Sequence, residues 1–575
     1  MDTIAICTGE GRYRVEAANY ALHINRHEID VLVENTVFAT LDVRCALPVT
    51  TDDDEGFIPD AEPALPALAS SEISENEAVF VWTNKSSLWE KKYTLHCTWM
   101  HYTFAVTVQG KGRVDAVQYF TGDMTAKPHG SRYEFSEGFT PCISWYDKED
   151  YTFKASLDCH RWSVLMVPPM FAYAFRAEGI NRRMGLGLVA ERGEHNFNAF
   201  DYRVNRRSYD SRFHLETDQH GHTIVDGEWT APYILGLAGE DQWDILRQYT
   251  DHYFASGIAK PSLPAIPPRF WQGPMVCGWI EQIIRAQAEG IAELDGANET
   301  YYEDMVKKLA EYDLHPKAII IDDKWMTHYA TDIADPAKWP DLRAFVDRRR
   351  AEGMSTMVWF KVWDPDGWDE SICLTADNGD IRIDPSHPRY LKNLDEALHR
   401  ILSGDEGCYD CDGFKLDFAF FIPIGRKVHS YSGKYGVELL YDMMLYIYER
   451  AKIEKPHALV NCSPCHPYFA HICDQARLHD YEPKNRNCLE DLQMRARLFS
   501  TAMPGTLLDT DNAGFNTRRD TMRWMLMQPA VGVPDLYSLS PTPSCRLTRA
   551  DFAAIAQVWK EYSAKIDALY PENDR

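Results

Sequence analysis

The chain has no run approaching the roughly 18 apolar residues that a membrane helix requires, and residues 1–15 hold no basic start followed by an apolar stretch. A soluble, cytoplasmic protein is the expectation. Basic charge is also short: 60 Lys+Arg stand against 86 Asp+Glu, a formal net charge of −26. That balance repels phosphate backbones and anionic lipid, so neither nucleic acid nor a membrane is expected as a partner. Fourteen cysteines in 575 residues are too dilute for a disulfide scaffold and read as mostly buried thiols. What is plentiful is apolar residues, 45% of the chain, in a length too great for one core. Two or three globular domains follow.

Residues 1–255 read as strands, the clearest being 93–108, rich in β-branched and aromatic residues without a helix breaker; 29–35 and 161–167 repeat the theme. A large N-terminal β-sandwich is the economical reading. Residues 256–269 contain a proline-rich connector, Lys260 to Arg269 carrying four prolines, which continues neither sheet nor helix. From 270 to 575 short apolar strands alternate with helical periodicity, as in Tyr302, Met305, Leu309 and Tyr312 ahead of Ala318-Ile319-Ile320-Ile321. About eight such units predict a (β/α)8 TIM barrel, a fold that carries its chemistry at the C-terminal ends of its strands.

Those ends are rich in carboxylates. Strand two ends in Asp322-Asp323-Lys324-Trp325, strand four in Lys415-Leu416-Asp417, strand five in Asn461-Cys462-Ser463, strand six in Arg477-Leu478-His479-Asp480 and strand seven in Asp509-Thr510-Asp511. Alternation along a strand turns Lys415 and Asp417 to one face. With Trp279, Trp325, Trp359 and Trp363 nearby, carboxylates around aromatic rings suit a pyranose. The two C-x-x-C pairs, Cys408/Cys411 and Cys462/Cys465, would enter strand four and leave strand five, about 16 Å apart, too far for one zinc. His466, His471 and His479 read as rim residues, and no metal or organic cofactor is expected.

These elements resemble glycoside hydrolase clan D, families 36 and 27, with family 31 as a more distant relative, over residues 270–545. Asp322-Asp323-Lys324-Trp325 resembles the DD-x-W element of the α-galactosidases, Lys415-Leu416-Asp417 their K-x-D strand, and Asn461-Cys462-Ser463 the N-C-S turn of family 36. The resemblance implies a retaining α-glycosidase acting on a small carbohydrate. Asp417 would be the nucleophile and Asp480 the acid/base, with Glu482 in reserve. Asp322 and Asp323 would meet sugar hydroxyls, Lys415 and Arg477 would donate to others, and Trp279, Trp359 and Cys462 would line the pocket. Lys415 beside Asp417 is expected to keep the nucleophile ionised. The chain departs from the family at Pro464-Cys465-His466-Pro467-Tyr468, where family 36 has a glycine-rich turn, and that family's C-terminal β-domain is not expected here. A raffinose-synthase-like transferase and a non-catalytic carbohydrate-binding protein remain as alternatives, and a homo-oligomer stays open.

Overall fold

The computed structural model describes residues 4–62, 64–124, 129–133, 137–139, 145–147, 152–156, 167–205, 212–261, 266–478, 488–511, 517–542 and 545–570. Asp480, His479 and Glu482 lie outside the described residues, as do residues 161–166 and part of the proline-rich connector.

The N-terminal part is an antiparallel β-sandwich whose strands join into one hydrogen-bonded set of 20. Its spine is a pair of long strands, Tyr102–Tyr119 and Arg212–Thr230, paired from Thr107↔Thr230 to Tyr119↔Leu215. The apolar run at 93–108 divides into two strands, Glu90–Thr98 and Tyr102–Tyr119, around a turn at Trp99 and Met100 that no glycine or proline marks. The segment before the connector is a helix, Gln242–Ala255, N-capped by Asp241, where the sequence reading had strands to 255. Contacts such as Arg426 Nε to Asp115 Oδ1, 2.7 Å, tie the sandwich to the second part.

The second part is the barrel. Its parallel strands are β1 (Met275–Cys277), β2 (Ala318–Ile321), β3 (Ser355–Lys361), β4 (Gly413–Asp417), β5 (Leu459–Cys462), β6 (Gln475–Arg477) and β7 (Leu507–Asp509), hydrogen-bonded in that order. Residues 533–535 close the ring as a minimal eighth strand, bridging Asp509↔Val533 on one side and Met275↔Asp535 on the other. Side chains alternate as a pleated strand demands. Met275, Cys277, Ala318, Ile320, Met357, Leu459 and Val533 fill the interior, whereas Ile319, Ile321 and Phe414 pack outward with the helices. Gly413 opens β4 because a Cβ there would stand 2.3 Å from the Leu459 carbonyl oxygen, so only glycine lets β4 lie this close to β5.

Candidate active site

The alternation that builds the barrel also loads its upper rim. On β4 the inward positions are Gly413, Lys415 and Asp417, in register with Met357, Trp359 and Lys361 of β3. On β5 and β6 they continue as Asn461, Gln475 and Arg477, and Arg477 stands opposite Asp509 of β7. Polar side chains thus occupy the upper interior where Met, Ala and Leu occupy the lower.

Asp417 is 8% exposed and held at both oxygens. Oδ1 accepts from Arg477 Nη2 and from the Phe418 amide, each at 2.9 Å, and Oδ2 accepts from Trp359 Nε1 at 3.1 Å. Arg477, itself 1% exposed, also reaches Asp511 Oδ2 at 3.3 Å and so bridges two carboxylates. Among the described residues, the cation hydrogen-bonded to Asp417 is Arg477, while Lys415 acts on Asp417 only through its charge. Lys415 lies two residues earlier on β4, and its ammonium turns instead to Asp322 Oδ2 at 2.9 Å and Cys277 Sγ at 3.5 Å. Burial opposes the Lys415 charge, yet Asp322 and Cys277 raise it well above the ordinary lysine range, so it stays an ammonium.

The paired aspartates after β2 are not equivalent. Asp322 is 2% exposed and fully engaged: Oδ2 accepts from Lys415 and, at 3.0 Å, from the Cys277 thiol, while Oδ1 takes the Asp323 amide at 2.8 Å. Its own amide donates to the Tyr302 hydroxyl, which comes within reach because residue 278 is glycine; a Cβ there would fall 1.9 Å from that oxygen. Asp323 is half-buried, and its Oδ1 accepts from the Tyr329 hydroxyl at 2.9 Å. Burial, then Asp322, pushes its carboxyl up to about 6. Below these groups Asn461 Nδ2 donates to Asp509 Oδ2 at 2.8 Å, and burial with Asp511 raises Asp509 to about 6. Asp535, whose Oδ1 accepts from the Cys277 amide, is pushed well above the carboxylate range by burial and by Asp509 and Asp511.

Four residues just past the barrel strands are non-glycines with positive φ: Lys324 (72°), Trp363 (71°), Phe418 (58°) and Asp511 (58°). Each such conformation costs on the order of 1 kcal/mol or more, and strain of this kind gathers where side-chain placement is at a premium.

The sequence-based expectations divide accordingly. Asp322, Asp323, Trp359, Lys415, Asp417 and Arg477 do converge. Trp359 is not an open stacking surface: it is 1% exposed, and its indole edge serves Asp417. Cys462 points away from the interior, because Asn461 takes the inward position; its buried thiol meets Cys473. Trp279 begins the helix Trp279–Glu289 after β1 and is half-buried against the lower interior cluster. His466 is buried under the sandwich, 3.0 Å from the Tyr249 hydroxyl, and not on the rim. Among the described residues no three His, Cys, Asp or Glu side chains are grouped to hold a metal ion. Sequence reasoning missed Tyr329 and Asp535: the first sits in an irregular loop, and the second lies in the segment read as the eighth strand but belongs to no motif.

No family model matches the sequence, and no curated protein matches it. Solved structures do. A GH31 family sulfoquinovosidase from E. rectale, in complex with an aza-sugar inhibitor, superposes with a TM-score of 0.59 at 12% identity, covering 94% of this chain and 82% of that one. The GH36 α-galactosidase AgaA from Geobacillus stearothermophilus gives 0.50 at 11% identity, over 97% and 86%. The cycloalternan-forming enzyme from Listeria monocytogenes, in complex with a pentasaccharide substrate, gives 0.53 at 11%; the match takes in 95% of this chain but only 57% of that longer one. The fold is thus the one seen in glycosidases of families 31 and 36, a β-sandwich leading into a (β/α)8 barrel, as the strand-end motifs suggested.

Proposed function

We propose that the protein is a retaining α-glycoside hydrolase of the α-galactosidase type, with Asp417 as nucleophile and Asp480 as acid/base. The observation that carries the reading is the grip on Asp417. A carboxylate at the end of β4, fixed at one oxygen by a guanidinium and at the other by an indole N–H, is held and aimed, as attack on an anomeric carbon requires. In the first step an Asp417 oxygen bonds to the anomeric carbon as the glycosidic bond breaks, and the departing oxygen takes the proton of Asp480. In the second, Asp480 removes a proton from water, whose oxygen displaces Asp417 and regenerates the carboxylate. This double displacement needs two carboxyls about 5–5.5 Å apart. The assignment of Asp480 rests on the Arg477-x-x-Asp480 spacing. Asp323, half-buried and accepting from Tyr329 among the described residues, suits the role of hydroxyl acceptor better than the fully engaged Asp322.

The test is hydrolysis of aryl α-glycosides of galactose, glucose, xylose and N-acetylgalactosamine, with and without an acceptor sugar. Turnover of one of them that falls by at least about 10⁴-fold in Asp417→Asn, with the melting temperature kept, is the expected result. Near-normal turnover in that variant sinks the assignment, and product formed only with the acceptor points to glycosyl transfer.

A further inference from the structure

Tyr329 lies in the loop between β2 and the next helix, eight residues beyond the end of β2 and in no recognised motif, yet it touches both sides of the pocket. Its hydroxyl donates to Asp323 Oδ1 at 2.9 Å. Its ring packs on Trp359 with centroids 5.7 Å apart, and the far edge of that indole holds Asp417. Two ammonium groups lie over the same ring, Lys324 Nζ at 3.9 Å and Lys361 Nζ at 4.2 Å from its centroid. Both lysines are anchored in turn, Lys324 to Asp366 at 2.8 Å and Lys361 to Asp364 at 2.7 Å. Asp366 also accepts the Tyr329 amide at 3.3 Å and pairs with His328 at 2.9 Å, which pins the loop to the turn that follows β3. Lys324 reaches this position from a left-handed backbone, φ 72°.

We propose that Tyr329 is a positioning residue that holds Asp323 as an ionised acceptor for a sugar hydroxyl and, through its ring, steadies Trp359 against Asp417. The proposal rests on the reading of this pocket as a glycoside site, and it names which carboxylate of the pair reads the sugar and what keeps it ready. Burial and Asp323 itself push the Tyr329 phenol upward, so it remains a donor, and cations over its face strengthen that donation. Among the described residues, the groups facing Asp323 are Asp322 at the end of β2 and Asp417 on β4, which raise its carboxyl, and Tyr329, Lys361 and Lys338, which lower it. Removing the Tyr329 hydroxyl removes a lowering contact. Asp323 then holds its proton to higher pH and loses its capacity to accept.

The experiment compares wild type with Tyr329→Phe and Tyr329→Leu on whichever aryl glycoside the wild type cleaves best, reading KM, kcat and the acid limb of kcat/KM. Tyr329→Phe keeps the ring and its cations; the expected result is a KM about tenfold higher, kcat within about threefold, and an acid limb displaced to higher pH. Tyr329→Leu adds a fall in kcat, because Trp359 loses its neighbour. A Tyr329→Phe enzyme with unchanged KM and an unmoved acid limb overturns the proposal, since a purely structural tyrosine would shift thermal stability and neither of these. Binding separates this outcome from failure of the hydrolase reading. Calorimetric titration of Asp417→Asn, with and without Tyr329→Phe, by the four parent monosaccharides needs no turnover. Weaker binding in the double variant upholds the role of Tyr329 even if wild type cleaves nothing; equal binding, or none by either, overturns it.

Discussion

The two halves of the pocket solve opposite problems. On the β4 side Asp417 is gripped at both oxygens by Arg477, Trp359 and the Phe418 amide, and Arg477 is itself tied to Asp511. On the β2 side Asp323 accepts from Tyr329, is half-buried and sits near its titration point at about 6. The first arrangement holds a carboxylate at both oxygens. In the second, pH decides whether the half-buried carboxyl can accept a hydrogen bond. A nucleophile has to be invariant, whereas a recognition group has to form its best hydrogen bond only when the ligand arrives.

Replacing Arg477 by Met strikes the rigid half hardest. The side chain is 1% exposed and pairs with Asp417 and Asp511 together, so its loss takes a buried cation from two buried carboxylates. Breaking a buried pair from one side costs about 3–5 kcal/mol, which urea unfolding measures, and kcat should fall with it because Asp417 is then misplaced. Loss of activity with stability intact would mean that the upper interior tolerates the loss of this cation, and that Arg477 matters to the sugar and not to the fold.

The adaptable half yields a pH signature. Asp323 carries a raised carboxyl, so it is ionised above about 6 and protonated below. Wild-type KM should therefore climb as pH falls through that value, while Asp323→Asn, which cannot titrate, should show a KM raised about tenfold or more and flat between pH 5 and 7. An Asp323→Asn enzyme that keeps the wild-type acid limb would move the titration to another group, with Asp509, also near 6, as the next to test.

How much of this the sequence disclosed follows from range. The Lys415/Asp417 pair was legible because period two fixes which face a strand residue takes, and both do point inward. Period two says nothing about depth, so it could not tell that Lys415 sits a layer lower and serves Asp322, or that Arg477 arrives from β6 to take its place at Asp417. The same rule, applied to the adjacent residues Asn461 and Cys462, would have turned the cysteine outward. The barrel was legible from repeated apolar strands, including the eighth, which forms only isolated bridges at 533–535. Tyr329 left no trace. Its contacts span loop to strand, and a loop tyrosine has no periodicity to betray its partner.

The finest test of the contrast is Trp359→Phe, which keeps an aromatic ring at the same strand position and removes the N–H together with part of the ring system. Asp417 Oδ1 would keep Arg477 and the Phe418 amide, so the carboxylate stays largely in place, and the polar contact that disappears is the one at Oδ2, 3.1 Å. One hydrogen bond to a charged group is worth about 1.5–3 kcal/mol, which sets the expected fall in kcat at about ten- to a hundredfold, with KM unchanged because Asp323 and Tyr329 are untouched. If KM rises instead, the indole supports the recognition side through its packing on Tyr329, and the two halves share one positioning element. The rigid and adaptable sides would then be coupled through a single ring, and the Tyr329→Leu and Trp359→Phe effects would fail to add, as contacting residues on a common path do.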